Sequence, residues 1–348
     1  MSDSQTTHRQ AWRRTDDLTP GATRIKLVEE ALPLPLDPTS ALVKVYAVAL
    51  NYRDANIANG GNPWPVIPNV ILGNDAAGEV IAIGDKVKTL QVGDRVAPII
   101  DTEYVSGREI GRSWLAANED GVMADHIVFE ETKLVKLPDH LDWISAATIP
   151  CAGVTAWSAI KGAGPGKTVL IQGTGGVSMF ALKLCRAAGA RVILSSSSDE
   201  KLAQIQKRYP APPILTVNYK NSDWHEEIMR LTGGAGADIV VENGGAPSLV
   251  QSMKCTRRGG IVSQVGYLGN QDPAQLSELI PTIIDRRVVL RGINAGSKYD
   301  MEDLCAALSA SETKLDDIID KVFPFSEAEE AVQYVWEGRQ IGKVILRL

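Results

Sequence analysis

The pattern of apolar and polar positions changes near residue 150. Before it, short apolar runs alternate with glycine-containing turns, which is typical of a small, partly open β-barrel. Beyond it, apolar runs alternate with segments of helical periodicity, the arrangement that gives a parallel sheet covered by helices on both faces. We therefore predict an α/β protein with one domain over residues 1–150 and another over residues 151–294.

Individual elements follow from the same pattern. In the first domain, strands are predicted at 42–50, 78–84, 93–96 and 124–129. In the second, strands are predicted at 168–171, 192–194, 214–215, 238–241, 260–265 and 288–290, and helices after residue 176 and at 199–208, 223–231 and 247–255. The remaining segment, about 295–348, has the pattern of two helices and a closing strand at 342–346, and we expect it to return to the first domain.

One turn in the second domain carries the clearest chemistry. The buried strand 168–171 is followed by Gly173-Thr174-Gly175-Gly176-Val177-Ser178 and then by apolar residues at helical spacing. Glycines in such a strand–turn–helix unit let backbone N–H groups approach a pyrophosphate at the positive end of the helix. Serine stands where the pattern usually has its third glycine, and it is small enough for the helix to pack closely on the strand. The turn predicts dinucleotide binding.

Composition narrows the class of protein. The chain has 348 residues, enough for two domains, with 44% hydrophobic and 22% charged residues, as in ordinary soluble proteins. A net charge of −6 without a basic stripe argues against nucleic acid as a partner. No apolar run reaches the length of a membrane span, and the first residues lack the apolar core of a secretory signal. The four cysteines, Cys151, Cys185, Cys255 and Cys305, are far apart in the sequence. We therefore expect a reduced protein of the cytoplasm.

Several short motifs, taken together, resemble those of one superfamily. They are Asn51-Tyr52-Arg53-Asp54, Gly73-Asn74-Asp75-Ala76-Ala77-Gly78, Gly93-Asp94-Arg95-Val96, Ala152-Gly153-Val154-Thr155-Ala156, the glycine turn, Gly266-Tyr267-Leu268-Gly269 and Gly342-Lys343-Val344. Over nearly its whole length the chain resembles the medium-chain dehydrogenases/reductases, and among them the zinc-free quinone oxidoreductases. The resemblance implies a GroES-like β-barrel built from both ends of the chain and an inserted Rossmann domain with a doubly wound parallel sheet. It also implies a homodimer paired through the edges of these sheets.

The resemblance also allows a prediction about zinc binding. Zinc members of the superfamily hold a catalytic ion with Cys, His and Cys, and the matching positions here are Asn51, Asn74 and Cys151. Two amides and one thiol are a poor zinc site, since zinc prefers thiolates and imidazoles. Residues 101–120, where zinc members carry a cysteine-rich lobe, contain no cysteine. We predict that the protein binds no zinc.

The residues after the second parallel strand indicate which nicotinamide cofactor is bound. An NAD enzyme usually has Asp or Glu there for the ribose hydroxyls, whereas this chain has four serines in a row. A carboxylate would repel a 2′-phosphate, while Ser196 and Ser197 can donate to it and Lys201 can supply positive charge. By resemblance, Tyr219 lies against the same phosphate. We predict NADPH, with NADH as the weaker alternative; Ser198 can in addition cap the next helix.

The remaining candidate site residues come from the resemblance. Asn51 is expected to polarise the oxygen of an acceptor, and Asp54 to position the Asn51 loop. A proton comes either from solvent or from Tyr52, which can equally serve in packing. The candidate cofactor residues are Thr155 near the nicotinamide, Gly173, Thr174, Gly175, Gly176 and Val177 at the pyrophosphate, and Asn243, Gly244, Gly266, Tyr267, Asn294 and Ala295 after the later strands.

These residues favour hydride transfer to a small molecule that needs no metal for its reduction. Without a Lewis acid a simple carbonyl lacks stabilisation for its alkoxide, whereas a quinone or an enone spreads the charge over a conjugated system. We predict a zinc-independent, NADPH-dependent oxidoreductase acting on quinones or on activated C=C bonds. The alternatives are a specialised biosynthetic enoyl or imine reductase, a zinc alcohol dehydrogenase with unusual ligands, and an NADPH-binding protein without turnover.

Overall fold

The computed structural model describes residues 6–221 and 223–348. The chain divides into two compact units, the first comprising the chain up to Val154 together with Ala295–Leu348, and the second comprising Thr155–Asn294. The sequence predicts boundaries at residues 150 and 294. The expectation that the chain starts without a secretory signal rests partly on residues 1–5, which lie outside the described residues. In the described part of the chain, every helix is too short or too polar to cross a membrane.

Strands and helices alternate along most of the chain. The strands are β1 His8–Arg14, β2 Ile25–Ala31, β3 Ser40–Leu50, β4 Ala76–Ile83, β5 Arg95–Pro98, β6 His126–Glu130, β7 Leu134–Lys136, β8 Thr168–Gln172, β9 Arg191–Ser196, β10 Leu215–Asn218, β11 Ala237–Glu242, β12 Thr256–Gln264, β13 Val289–Gly292, β14 Ile319–Pro324 and β15 Lys343–Arg347. The α-helices are α1 Tyr52–Ala58, α2 Trp143–Ala146, α3 Val154–Ala159, α4 Gly176–Ala187, α5 Asp199–Arg208, α6 Trp224–Leu231, α7 Ala246–Lys254, α8 Leu279–Arg286, α9 Lys298–Ser311 and α10 Ala328–Trp336.

The second unit is built on a parallel sheet with the strand order β10-β9-β8-β11-β12-β13. The chain builds outward from β8 to one side and then, from β11, to the other, which is the doubly wound order. Val169, Leu170 and Ile171 of β8 are fully buried, as a continuous apolar run predicts for a strand covered on both faces. Between β8 and β11 the order reverses, and such a reversal opens a crevice at the carboxyl ends of the strands. The predicted fold class is confirmed in this unit.

Helix α5 shows why the sequence pattern worked here. Its bounds, Asp199–Arg208, are the predicted ones. Ser198 Oγ accepts the backbone N–H of Lys201 at 3.2 Å, so the capping role predicted for this serine is confirmed. Leu202 and Ile205, three residues apart, are the buried face of the helix.

The first unit is built on a mainly antiparallel sheet with the order β14-β15-β3-β4-β5-β7, and β6 pairs with β3. β3 is the central strand, with β15 on one side, where Val344 lies opposite Leu50, and β4 on the other, where Ala76 lies opposite Val48. Because both neighbours run antiparallel to β3, the end of β3 meets the starts of β4 and β15. These three strand ends hold the candidate site described below.

The sequence pattern does not predict β1, β2, β7 or β14. β1 and β2 form a two-stranded antiparallel ribbon whose charged side chains pair with each other, as Arg13 Nε does with Glu30 Oε2 at 2.6 Å. Ion pairs of this kind interrupt the apolar alternation from which strands are recognised. The ribbon is attached through Trp12, whose Nε1 donates to the carbonyl oxygen of Phe325 at 2.9 Å.

Candidate active site

The three strand ends of the first unit bring together four polar side chains, here called the Lys343 cluster: Lys343, Asp75, Asn51 and Asn74. Asn51 follows β3, Asn74 and Asp75 precede β4, and Lys343 begins β15. Asn74 and Asp75 are 0% exposed and Lys343 is 1% exposed. Lysine and aspartate are almost never fully buried unless they are paired, because a lone charge in a protein interior is very unfavourable.

Both charged groups of the cluster have partners. Lys343 Nζ donates to Asp75 Oδ2 at 2.9 Å and to Asn51 Oδ1 at 2.8 Å. The other carboxylate oxygen, Asp75 Oδ1, accepts the backbone N–H of Cys151. Burial raises the pKa of Asp75, and the nearby Lys343 ammonium opposes this rise. The lysine and the aspartate are therefore paired with each other away from water.

Lys343 also decides which way the Asn51 amide points. An ammonium can only donate, so the oxygen of Asn51 must face it, and Asn51 Nδ2 then donates to Asn74 Oδ1 at 3.0 Å and to Asp75 Oδ2 at 2.9 Å. The sequence assigns Asn51 the role of polarising an acceptor oxygen. That role stays a prediction, and both N–H groups of Asn51 already donate within the cluster.

Asp54 and Tyr52 lie at the start of α1. Asp54 Oδ2 accepts the backbone N–H of Asn51 at 2.7 Å, which is the contact that a positioning role requires. Tyr52 is 39% exposed and its ring stacks on that of Trp336, with 6.1 Å between centroids. This contact is the packing alternative for Tyr52; proton donation by the phenol stays a prediction.

Asp54 gives a testable pH dependence. Its carboxyl is 0% exposed, and burial raises its pKa from 3.8 to about 6 although the Asn51 N–H and the Arg53 charge oppose the rise. Because the folded state holds this proton more tightly than the unfolded chain, stability falls as pH rises from about 4 to about 6 and stays lowered above that. Asp54→Asn keeps an acceptor for Asn51 without a charge, so its free energy of unfolding should exceed that of the wild type by up to about 3 kcal/mol at pH 8.

The measurement is chemical denaturation of both proteins at two pH values. The difference in favour of Asp54→Asn should grow by about 1.4 kcal/mol between pH 5 and pH 8. Asp139→Asn, at an exposed position, is the matched control: its side chain is not buried, so the substitution should leave the free energy of unfolding close to that of the wild type. An advantage of Asp54→Asn that is the same at both pH values would contradict the assignment.

Cys151 shows why the cluster does not fit zinc. It lies in a five-residue π-helical segment, Ile149–Gly153, and burial together with the Asp75 charge raises the pKa of its thiol far above the ordinary value. Zinc binds the thiolate, and here the thiolate is disfavoured while two amides occupy the other ligand positions. Across residues 6–221 and 223–348 there is no group of three or more His, Cys, Asp or Glu side chains placed to hold a metal ion.

The glycine turn of the second unit has the geometry of a pyrophosphate cradle. Gly173 has φ +79°, a conformation that favours glycine, and a Cβ added to Gly175 would meet no atom within 4 Å. The open space at Gly175 lies directly before α4, whose first N–H groups have no partner within the helix. Ser178, at the place of the third glycine, is buried, and its Oγ donates to the carbonyl oxygen of Gln172 at 2.7 Å. The hydroxyl is thus satisfied within the turn, and the residues fit a dinucleotide.

The predicted adenosine-end residues lie together after β9 and β10. Ser196 Oγ accepts the backbone N–H of Ser198 at 3.2 Å, and the Ser196 carbonyl accepts the N–H of Tyr219 at 3.0 Å. Ser197 follows at the strand end, Lys201 is in the first turn of α5, and the Tyr219 side chain is 45% exposed. No acidic residue lies between the end of β9 and the helix cap Ser198.

The other predicted cofactor residues follow the remaining strands. Asn243 Nδ2 donates to the Gln172 carbonyl at 2.7 Å, which ties the loop after β11 to the end of β8. Gly266 packs against this loop, since an added Cβ would lie 2.8 Å from the Asn243 carbonyl oxygen. The others are placed as follows: Gly244 after β11, Tyr267 after β12, Thr155 in α3, Asn294 at the end of the second unit, and Ala295 in the first unit, with φ +55°.

Sequence reasoning missed the role of Lys343 and its pairing with Asp75. One signal was present, because Lys343 precedes the apolar run Val344-Ile345-Leu346 in the closing strand. A lysine that begins a buried strand calls for a buried partner, but nothing in the sequence says that the partner lies at residue 75.

Known proteins resemble this chain over nearly its whole length. Residues 37–139 match the alcohol dehydrogenase GroES-like domain, and residues 176–310 match the zinc-binding dehydrogenase family. A zinc-type alcohol dehydrogenase-like protein of Schizosaccharomyces pombe is 37% identical over 338 residues, which cover 94% of this chain and 96% of the relative. An acryloyl-coenzyme A reductase of Sulfurisphaera tokodaii is 30% identical, covering 92% of this chain and 96% of the relative. The crystal structure of a putative alcohol dehydrogenase from Sinorhizobium meliloti superposes with a TM-score of 0.86, at 30% identity and over 100% of both chains.

Proposed function

Because this chain belongs to the medium-chain dehydrogenase/reductase superfamily of oxidoreductases, we propose that it is a zinc-independent, NADPH-dependent enzyme that reduces a quinone or an activated C=C bond. The observation that carries this proposal is the Lys343 cluster. At the positions where zinc members hold their ion, this chain has two amides arranged around a buried lysine–aspartate pair. The free thiols of its cysteines fit the reducing cytoplasm that we propose as its compartment.

Because the cluster is a poor zinc site, a conjugated acceptor is favoured over a simple aldehyde. A simple aldehyde places the full developing charge on one oxygen, which a metal ion would have to stabilise. In a quinone or an enone the charge spreads over several atoms, so neutral hydrogen-bond donors suffice. The Lys343 cluster contains side-chain amides, which are neutral donors.

The second unit supports NADPH as the cofactor. Gly173, Gly175 and Val177, with the start of α4, would hold the pyrophosphate, and Ser197 and Lys201 would hold the 2′-phosphate. When bound, the nicotinamide supplies the hydride. The residues of the chain bind and orient it and stabilise charge on the acceptor.

A specialised enoyl reductase is the second candidate. It is favoured by the similarity to acryloyl-coenzyme A reductases, which reach 30% identity over 92% of this chain. Such a substrate also has a conjugated C=C bond, so the same cluster serves it.

The test is NADPH oxidation by purified, metal-analysed protein with four acceptors: a quinone, an aryl enone, an unsaturated acyl-coenzyme A and a simple aldehyde. We expect turnover of at least one of the first three with substoichiometric zinc, and no effect of a chelator. Turnover of the aldehyde alone, or activity that disappears with the chelator, would contradict the proposal. Tight NADPH binding without turnover of any acceptor would favour a binding protein.

We also propose that the protein is a homodimer. β13 is the edge of the second unit's sheet, and Val289 on this strand is 54% exposed. On the adjacent α8, Ile280 and Ile284 are 62% and 70% exposed. An open edge beside exposed apolar side chains favours pairing with a second copy, which would cover both.

Charged substitutions at this edge should give a monomer. In Ile284→Glu/Val289→Glu, like charges meet across a two-fold axis and the apolar contact is lost, so light scattering should show half the mass of the wild type. Val92→Glu, at a 58% exposed apolar position in the first unit, is the control and should leave the mass unchanged. A wild-type protein that is already monomeric would refute the dimer.

A further inference from the structure

Asn74 has a buried amide group without a partner. Its side chain is 0% exposed, and its Nδ2 has no hydrogen-bond partner among the described residues. A buried N–H group without an acceptor is rare in folded proteins, because it has lost its bond to water without replacing it. Such a group calls for an explanation, and a ligand oxygen is one.

The direction of this amide follows from its neighbours. Lys343 Nζ donates to Asn51 Oδ1, and Asn51 Nδ2 donates in turn to Asn74 Oδ1. If the Asn74 amide were turned over, two N–H groups would face each other. The oxygen of Asn74 therefore faces Asn51, and its N–H groups point to the other side of the amide.

The three side chains form a relay with a charge at one end. A hydrogen bond from a cation polarises the amide that accepts it, and the polarised amide becomes a stronger donor to the next. The ammonium of Lys343 polarises Asn51, which polarises Asn74. The uncommitted N–H of Asn74 is thus the donor end of a chain that begins at a fixed positive charge.

We propose that Asn74 Nδ2 donates a hydrogen bond to the oxygen of the acceptor as negative charge develops on it. This inference rests on the proposed function. A bound nicotinamide would supply a hydride to the acceptor carbon; a π-electron pair would then move onto the oxygen, and a proton from water would complete the product. A preorganised donor aimed at such an oxygen stabilises the transition state more than the ground state.

The charges around the relay do not oppose this role. The charges that act on the neighbouring Cys151 are Asp75, Asp54, Lys343 and Arg53, two negative and two positive. Asp75 is paired directly with Lys343 at 2.9 Å, and Asp54 Oδ2 accepts from the backbone of Asn51. Both carboxylates are therefore bonded to groups other than the Asn74 amide.

Two substitutions at this position distinguish loss of the hydrogen-bond donor from damage to the fold. Asn74→Asp, studied at about pH 8, keeps the oxygen that Asn51 needs and loses the N–H. Asn74→Leu is close in volume and has no charge, so it shows whether the added charge alone causes the effect. Asn118→Asp is the matched control: Asn118 Oδ1 accepts the backbone N–H of Trp114 at 3.1 Å, and an aspartate can accept it too.

We expect both Asn74 variants to bind NADPH as the wild type does and to lose about 10²–10³-fold in kcat. Their rates should also depend more steeply on electron-withdrawing substituents in an aryl enone series, because the substrate must then stabilise its own charge. A merely structural role would not change that slope. Folding is checked by thermal denaturation, and the result is read from whichever Asn74 variant folds.

Binding of para-nitrophenolate, followed by absorbance, tests the donor without turnover. The wild type should bind this oxyanion, and both Asn74 variants should bind it at least about 10-fold more weakly, while Asn118→Asp is unchanged. Variants that keep both kcat and phenolate affinity within about threefold, or a wild type that binds no phenolate, would overturn the role of Asn74. A wild type that reduces no acceptor but binds phenolate through Asn74 would overturn the proposed function and support the donor.

Discussion

Lys343→Met is expected to lower the free energy of unfolding by about 3–5 kcal/mol. The substitution leaves Asp75 fully buried without its cation, and only the N–H groups of Asn51 and Cys151 still face its carboxylate. Desolvation of an uncompensated carboxylate is what makes the loss large. Denaturation by urea, with the slope of the transition checked for two-state behaviour, measures it.

Two controls define the cause. Lys136 Nζ lies 2.9 Å from Asp94 Oδ2, the same separation as in the buried pair, but its side chain is 56% exposed, so Lys136→Met should cost no more than about 1 kcal/mol. Asp75→Asn combined with Lys343→Met removes both charges and should recover most of the loss.

The pH dependence of Lys343→Met follows from the same argument. Without the ammonium the pKa of Asp75 rises further, so the carboxyl takes up a proton more readily and the penalty shrinks as pH falls. The loss should therefore be larger at pH 8 than at pH 5. If Lys343→Met and Lys136→Met cost the same, the pair contributes no more than a surface contact and our description of the cluster is wrong.

Ser197→Asp is expected to reduce NADPH affinity by about 10–100-fold while NADH affinity stays the same or improves. The carboxylate would stand at the end of β9, where the 2′-phosphate of NADPH would be repelled and the ribose hydroxyls of NADH would gain an acceptor. Lys201→Met should weaken NADPH by at least about 10-fold for the complementary reason, since it removes a positive charge. Fluorescence titration with each cofactor measures both effects.

Lys207→Met is the matched control for this pair, because Lys207 is on the same helix but in its last turn and exposed. It should bind both cofactors as the wild type does. A wild type that prefers NADH, or variants that lose affinity for NADH and NADPH equally, would show that Ser197 and Lys201 do not recognise the 2′-phosphate.

The superfamily and the α/β architecture could be read from the sequence because their signals are local. A strand buried on both faces must be apolar at its centre, as β8 is at Val169, Leu170 and Ile171, and a helix needs a cap and a buried stripe, as α5 has. The turn at Gly173 likewise follows from backbone conformation at a few adjacent positions. Such features depend on residues close in the chain.

The composition of the Lys343 cluster could not be read in this way. Lys343 and Asp75 are 268 positions apart, and their contact exists only because β15 and β4 lie on either side of β3. The sequence had singled out Asn51 for the polarising role, yet the direction of its amide is imposed by Lys343 from the other end of the chain. No local pattern encodes that direction.

The sequence by itself therefore determined the superfamily, the alternation of strands and helices and the glycine turn after β8. The tertiary structure alone decided the make-up of the Lys343 cluster: a buried lysine, its aspartate and two amides aligned from Lys343 to Asn74. The physical reason is that backbone propensity and apolar periodicity act over a few residues. Charge compensation in a buried site, in contrast, acts between whichever groups the fold brings within hydrogen-bond distance.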